Sequence, residues 1–73
     1  MKISPRDYDV TIRWSEADQT FLASVAELPG IMADGPTRAE AARQMEEALE
    51  LALDAARELG HPLPEPRRLS HAA

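Results

Sequence analysis

The residues whose types could do chemistry in this chain are three aspartates and one histidine. Asp7 and Asp9 stand two positions apart at the start of an alternating segment, and Asp34 closes a later extended run. Carboxylates converging from neighbouring strands could hold Mg2+ and activate water for phosphodiester hydrolysis. The competing reading is plainer: Asp7 and Asp9 share the solvated face of an amphipathic strand, where polar residues are ordinary. We favour it, because a nuclease needs a fuller acidic set than these three. His61 lies between Gly60 and Pro62 with no serine, cysteine or aspartate at informative spacing, so it is unsupported as a general base. At a helix C-terminus it would simply interact favourably with the dipole. Ser15, Thr20 and Ser24 fall outside any G-x-S-x-G context, and three glycines make no phosphate-cradling loop, Gly30 and Gly35 being explained as turns. With no cysteine, disulfides and thiolate zinc sites are both removed. The expectation is a protein that is not an enzyme and holds no cofactor or metal.

Binding is the alternative to catalysis. Glu46, Glu47, Glu50, Asp54 and Glu58 project from one arc of a predicted helix, and Leu51 lies on the border of that arc. Such a face is often only solvated, but it can also speed docking of a basic partner. Glu47, Glu50, Leu51, Asp54 and Glu58 are therefore the candidate partner-binding residues. The formal net charge of −5 argues in the same direction, because an acidic surface repels nucleic-acid phosphates. No direct DNA binding is expected.

The elements that must position these residues are legible in the pattern. Tyr8, Val10, Ile12 and Trp14 alternate with Asp9, Thr11 and Arg13, which reads as a strand with one buried face. Residues 15–20 are polar and loop-like, and Phe21–Ala26 resumes the extended pattern, so the two strands form an antiparallel hairpin. Glu27-Leu28-Pro29-Gly30 stops the second strand with a turn. Ile31–Gly35 is a short third strand. Thr37-Arg38-Ala39-Glu40 fits a capping box, in which Thr37 accepts from the Glu40 amide and Glu40 reaches back to Thr37. The helix spans 38–59, ends at Gly60 and is barred from continuing by Pro62. Its apolar arc holds Ala41, Ala42, Met45, Ala48, Leu49, Ala52, Leu53, Ala55, Ala56 and Leu59, an alanine-rich stripe that suits close packing on a sheet. The prolines at 62, 64 and 66 force an extended exit that can follow a sheet edge but not enter its centre. Residues 67–73 have nothing to bury and read as a frayed tail.

At 73 residues the chain is one domain, 1–73, with a core of about 7–66. So small a domain hides only about 60% of its unfolded surface, so a homo-oligomer, dimer or higher, is expected. No apolar run spans a membrane and no signal peptide is visible, which together point to the cytoplasm.

Taken in order, these segments carry a resemblance. The strand Tyr8-Asp9-Val10-Thr11-Ile12 is followed by an E-x-P-G turn at Glu27–Gly30. Then come a G-x-T-x-x-E-A helix start at Gly35–Ala41 and a G-x-x-x-P-x-P exit at Gly60–Pro66. The chain resembles the HicB-like antitoxin family, over about residues 7 to 66. The resemblance implies an α+β, degenerate ribonuclease-H-like βββαβ fold: a three-stranded antiparallel sheet packed by one long helix, with a short final strand. It also implies neutralisation, by direct binding, of a small basic HicA-type toxin that cleaves mRNA. Pro29, Gly30, Gly35, Thr37, Glu40 and Gly60 would then be architectural. The family's usual DNA-binding domain has no counterpart here, so a stand-alone form is expected. The alternatives are a self-assembling regulatory or scaffold protein without a toxin partner and, further off, a vestigial Mg-dependent nuclease.

Overall fold

The computed structural model describes residues 3–64. A 3-10 turn, Pro5–Asp7, precedes three strands, β1 (Thr11–Ser15), β2 (Thr20–Ser24) and β3 (Met32–Gly35), and one helix, α1 (Arg38–Leu59). The strands form one antiparallel sheet in the order β1-β2-β3, with Trp14 opposite Phe21 and Ala23 opposite Ala33. This is the expected α+β fold, with an open sheet covered on one face by the helix. The expected frayed tail, 67–73, and the last residues of the proline exit lie outside the described residues. Residues 61–64 pair with no strand, so the short final strand is not present among the described residues. Among the described residues no helix is long and apolar enough to cross a membrane.

The helix begins and ends where its chemistry requires. Thr37 Oγ1 accepts from the Glu40 amide at 3.1 Å, satisfying one of the free donors of the first turn. The reciprocal half of the expected capping box is replaced: the Glu40 carboxylate takes Arg43, at 2.8 Å, a stronger charged partner than a backbone amide. At the other end Gly60 adopts φ +71°, the left-handed conformation glycine reaches without a Cβ clash. Gly60 N–H donates to Arg57 O and His61 N–H to Ala56 O, the paired bonds that close a helix.

The core is one row of the helix against the inner face of the sheet. Ala41, Met45, Leu49 and Leu53 are buried together with Tyr8, Ala23 and Val25, and Ile12, Phe21, Leu28, Ile31 and Ala33 pack around them. The buried stripe is narrower than expected, since Ala42, Ala55 and Leu59 are exposed. A three-stranded sheet offers too little width to cover a ten-residue arc. The helix also lies chiefly over β3 and β2. Val10 and Trp14, expected on a fully buried face, consequently remain 37% and 43% exposed at the β1 side. Trp14 is partly sheltered by an edge-to-face contact with Phe21, at 5.1 Å between centroids, and Arg38 stacks on the far partner of that pair, Phe21.

Two motif glycines play different parts from those the sequence implies. Leu28 O accepts from Ile31 N–H, so Pro29 and Gly30 are the centre of a tight turn, but Gly30 does not use positive φ. Gly35 is not a turn residue. It is buried at the end of β3, where a Cβ would stand 2.6 Å from the Ala41 nitrogen and 2.8 Å from Glu40 carbons. Its function is to let the first turn of α1 sit directly on the strand.

Candidate functional site

The acidic residues of α1 do form a continuous surface. Glu47, Glu50, Leu51 and Asp54 line one shallow depression of about 270 Å3, so four of the five candidate residues are brought together, and Glu58 lies outside its rim. Spacings of three and four put Glu47, Glu50, Leu51 and Asp54 on adjoining turns of one face. The helix buries its opposite row, which turns this one to solvent. Leu51 is 73% exposed, the most exposed large apolar side chain among the described residues, and stands among carboxylates.

Electrostatically the ridge is only partly neutralised. Arg43 bridges Glu40 and Glu47 at 2.8 and 3.0 Å, and Arg57 meets Asp54 at 2.9 Å. The Arg43 guanidinium, by hydrogen bond and charge, holds the Glu40 carboxyl below the usual carboxylate range, and Glu40 in turn raises Arg43. Glu50 and Glu58 hold no ion pair among the described residues. Five carboxylates against two guanidiniums leave a net negative ridge beside an exposed leucine. Exposed pairs of this kind contribute little to stability.

A neighbouring feature was not visible in the sequence. The N-terminal segment crosses the helix and encloses a depression of about 400 Å3, lined by Ile3, Ser4, Pro5, Arg6, Glu50, Leu53, Asp54 and Arg57. Arg57 donates to Ile3 O, and Ser4 N–H donates to the Asp7 carboxylate at 2.9 Å. Glu50 and Asp54 thus border both depressions. No spacing rule connects residue 4 with residue 54, so only tertiary contact reveals it.

The N- and C-terminal arms are tied at one point. Tyr8, 3% exposed, donates its hydroxyl to Pro64 O at 2.6 Å. Burial raises the phenol pKa, helped by the negative charges of Glu27 and Asp7. The phenol therefore stays protonated and able to donate.

The three aspartates do not converge. Asp7 belongs to the 3-10 turn and caps Ser4, which removes it from the strand face expected for it with Asp9. The reason is local: Pro5 at the first position favours a helical turn, which Asp7 then closes. Asp9 precedes β1 and is exposed. Asp34 sits opposite Leu22, on the sheet face away from the helix. Among the described residues no three His, Cys, Asp or Glu side chains are grouped so as to hold a metal ion. His61 is exposed just past the helix end and contributes its backbone amide to the cap.

Comparison with known proteins adds one finding. Neither the curated proteins nor the solved structures contain a match to this chain. The model of the UPF0150-like family matches residues 9–64, from the strand that carries Trp14 through the proline exit that Tyr8 anchors. The chain is a member of the UPF0150-like family.

Proposed function

We propose that this protein is a non-catalytic binding module of the antitoxin kind, which docks the acidic face of α1 on a small basic protein in the cytoplasm. The family to which it belongs is related to HicB-like antitoxins, which supports a HicA-type toxin as that protein. The observation that carries the reading is Leu51, 73% exposed within a depression otherwise lined by Glu47, Glu50 and Asp54. A leucine in that setting gains nothing in the free monomer, whereas a partner's apolar side chain would desolvate it. The unpaired Glu50 and Glu58 would steer a basic partner and set the rate of encounter.

The test is titration calorimetry and surface plasmon resonance of the full chain against a HicA-type toxin encoded beside it. Leu51→Ala is expected to weaken binding about tenfold, mostly through faster dissociation. Glu50→Lys with Glu58→Lys is expected to slow association and flatten its dependence on salt. Full affinity in both variants would remove α1 from the interface. Absence of any complex with the wild-type chain would end the antitoxin reading.

A further inference from the structure

We propose that two copies of this chain associate through the outer edge of β3, joining their sheets into one six-stranded antiparallel sheet. The inference is independent of any toxin partner. β3 ends the sheet, and its outer edge is paired with no strand among the described residues. Natural edges are normally protected by lysine, proline, a bulge or an inward charge. β3 reads Met32-Ala33-Asp34-Gly35 and carries no lysine, proline or inward charge: Met32 is 56% exposed, and the one charge of this short edge, Asp34, points away from the helix.

Symmetry then selects the register. In a two-fold antiparallel pair the axis passes through one residue, and facing residues lie on the same side of the sheet. An axis at Asp34 sets Asp34 against its own copy, which is repulsive. An axis at Met32 calls on Pro29 and Gly30, which are committed to the turn closed by Ile31 N–H and Leu28 O. An axis at Ala33 avoids both faults. It uses the whole strand and sets Met32 against Asp34 of the second copy, twice. The other edge is less suitable, because pairing the full length of β1 centres on Arg13 and opposes two guanidiniums.

The helix fits the same arrangement. Strands lie about 4.8 Å apart. A helix seated over β3 and β2 in each copy therefore lies about 10 Å from its mate, at the upper end of the 8–10 Å range of packed helices. The N-terminal segment and Tyr8 occupy one flank of α1, lining depressions there with Leu49, Glu50, Leu53 and Arg57. At 100° per residue the opposite flank, toward the β3 edge, presents Gln44, Ala48 and Ala55. The two alanines there permit the approach. Leu51 and the carboxylates stay on top, so the pair would offer two acidic ridges side by side.

The chain has no native cysteine, which makes the register directly testable. Full-length Met32→Cys and Asp34→Cys chains are mixed under mild oxidation at a concentration where sedimentation velocity shows dimer. A disulfide is expected between the two variants and at most weakly within either alone, because facing Cβ atoms are about 5 Å apart and diagonal ones about 7–8 Å. Met32→Glu, at an open position, sets a carboxylate against Asp34 of the second copy twice, and is expected to keep the wild-type circular dichroism and weaken the dimer at least tenfold. A monomer at 100 μM (wild type) overturns the proposal. So does a dimer that cross-links readily through Arg13→Cys, or one that Met32→Glu leaves intact.

Discussion

Replacing Gly35 by alanine adds one methyl group at the point where α1 is set down on β3. The new Cβ would stand 2.6 Å from the Ala41 nitrogen, whereas ordinary contact begins near 3.4 Å. Relief therefore needs roughly 0.8 Å of movement between helix and strand, and the obstacle is backbone that cannot rotate away. Overpacking of this kind costs about 1–3 kcal/mol. A domain of this size has a total stability of roughly 4–11 kcal/mol, so the loss is a large fraction of it. At about 4–8 °C per kcal/mol, a 2 kcal/mol loss lowers Tm by about 8–16 °C. Urea unfolding followed by Trp14 fluorescence, with far-UV circular dichroism alongside, measures it. Gly30→Ala is the control: nothing lies within 4 Å of its Cβ and its φ is ordinary, so it should be neutral or stabilise by about 0.4–1 kcal/mol. If Gly35→Ala unfolds within about 0.5 kcal/mol of wild type, or no differently from Gly30→Ala, the close seating of helix on strand is refuted.

Three further outcomes follow from named contacts. Tyr8→Phe removes the bond to Pro64 O and should cost about 0.5–1.5 kcal/mol, with faster proteolysis of the C-terminal arm near Leu63. The raised pKa of Tyr8 means the folded state favours the protonated phenol; its contribution is complete below the ordinary tyrosine pKa and is lost as pH rises through the folded value. Unfolding between pH 8 and 11 should show this loss in wild type and not in Tyr8→Phe. Thr37→Ala should cost about 0.5–2 kcal/mol and accelerate hydrogen exchange at Glu40 before the rest of α1.

The sequence by itself determined the elements whose cause is local. The helix bounds follow from Thr37, whose side chain caps the first turn, and from Gly60, which takes the left-handed exit without a Cβ clash. The hairpin follows from period-two alternation on either side of a polar loop, and the acidic arc of α1 from its three- and four-residue spacing. One local effect runs against the alternation: Pro5 draws Asp7 out of the strand and into a cap, dissolving the acidic pair with Asp9. Tertiary structure decided what depends on neighbours distant in the chain. The seating of α1 over β2 and β3 left Trp14 and Val10 partly open, although their alternation matches that of the buried Tyr8. Gly35 is spelled like a turn glycine, and only the approach of Ala41 shows that it is a spacer. Leu51 is legible as a border residue of the helix. Its exposure was settled by the narrow sheet, which can cover one row of α1 and leaves the opposite face to solvent or to another protein.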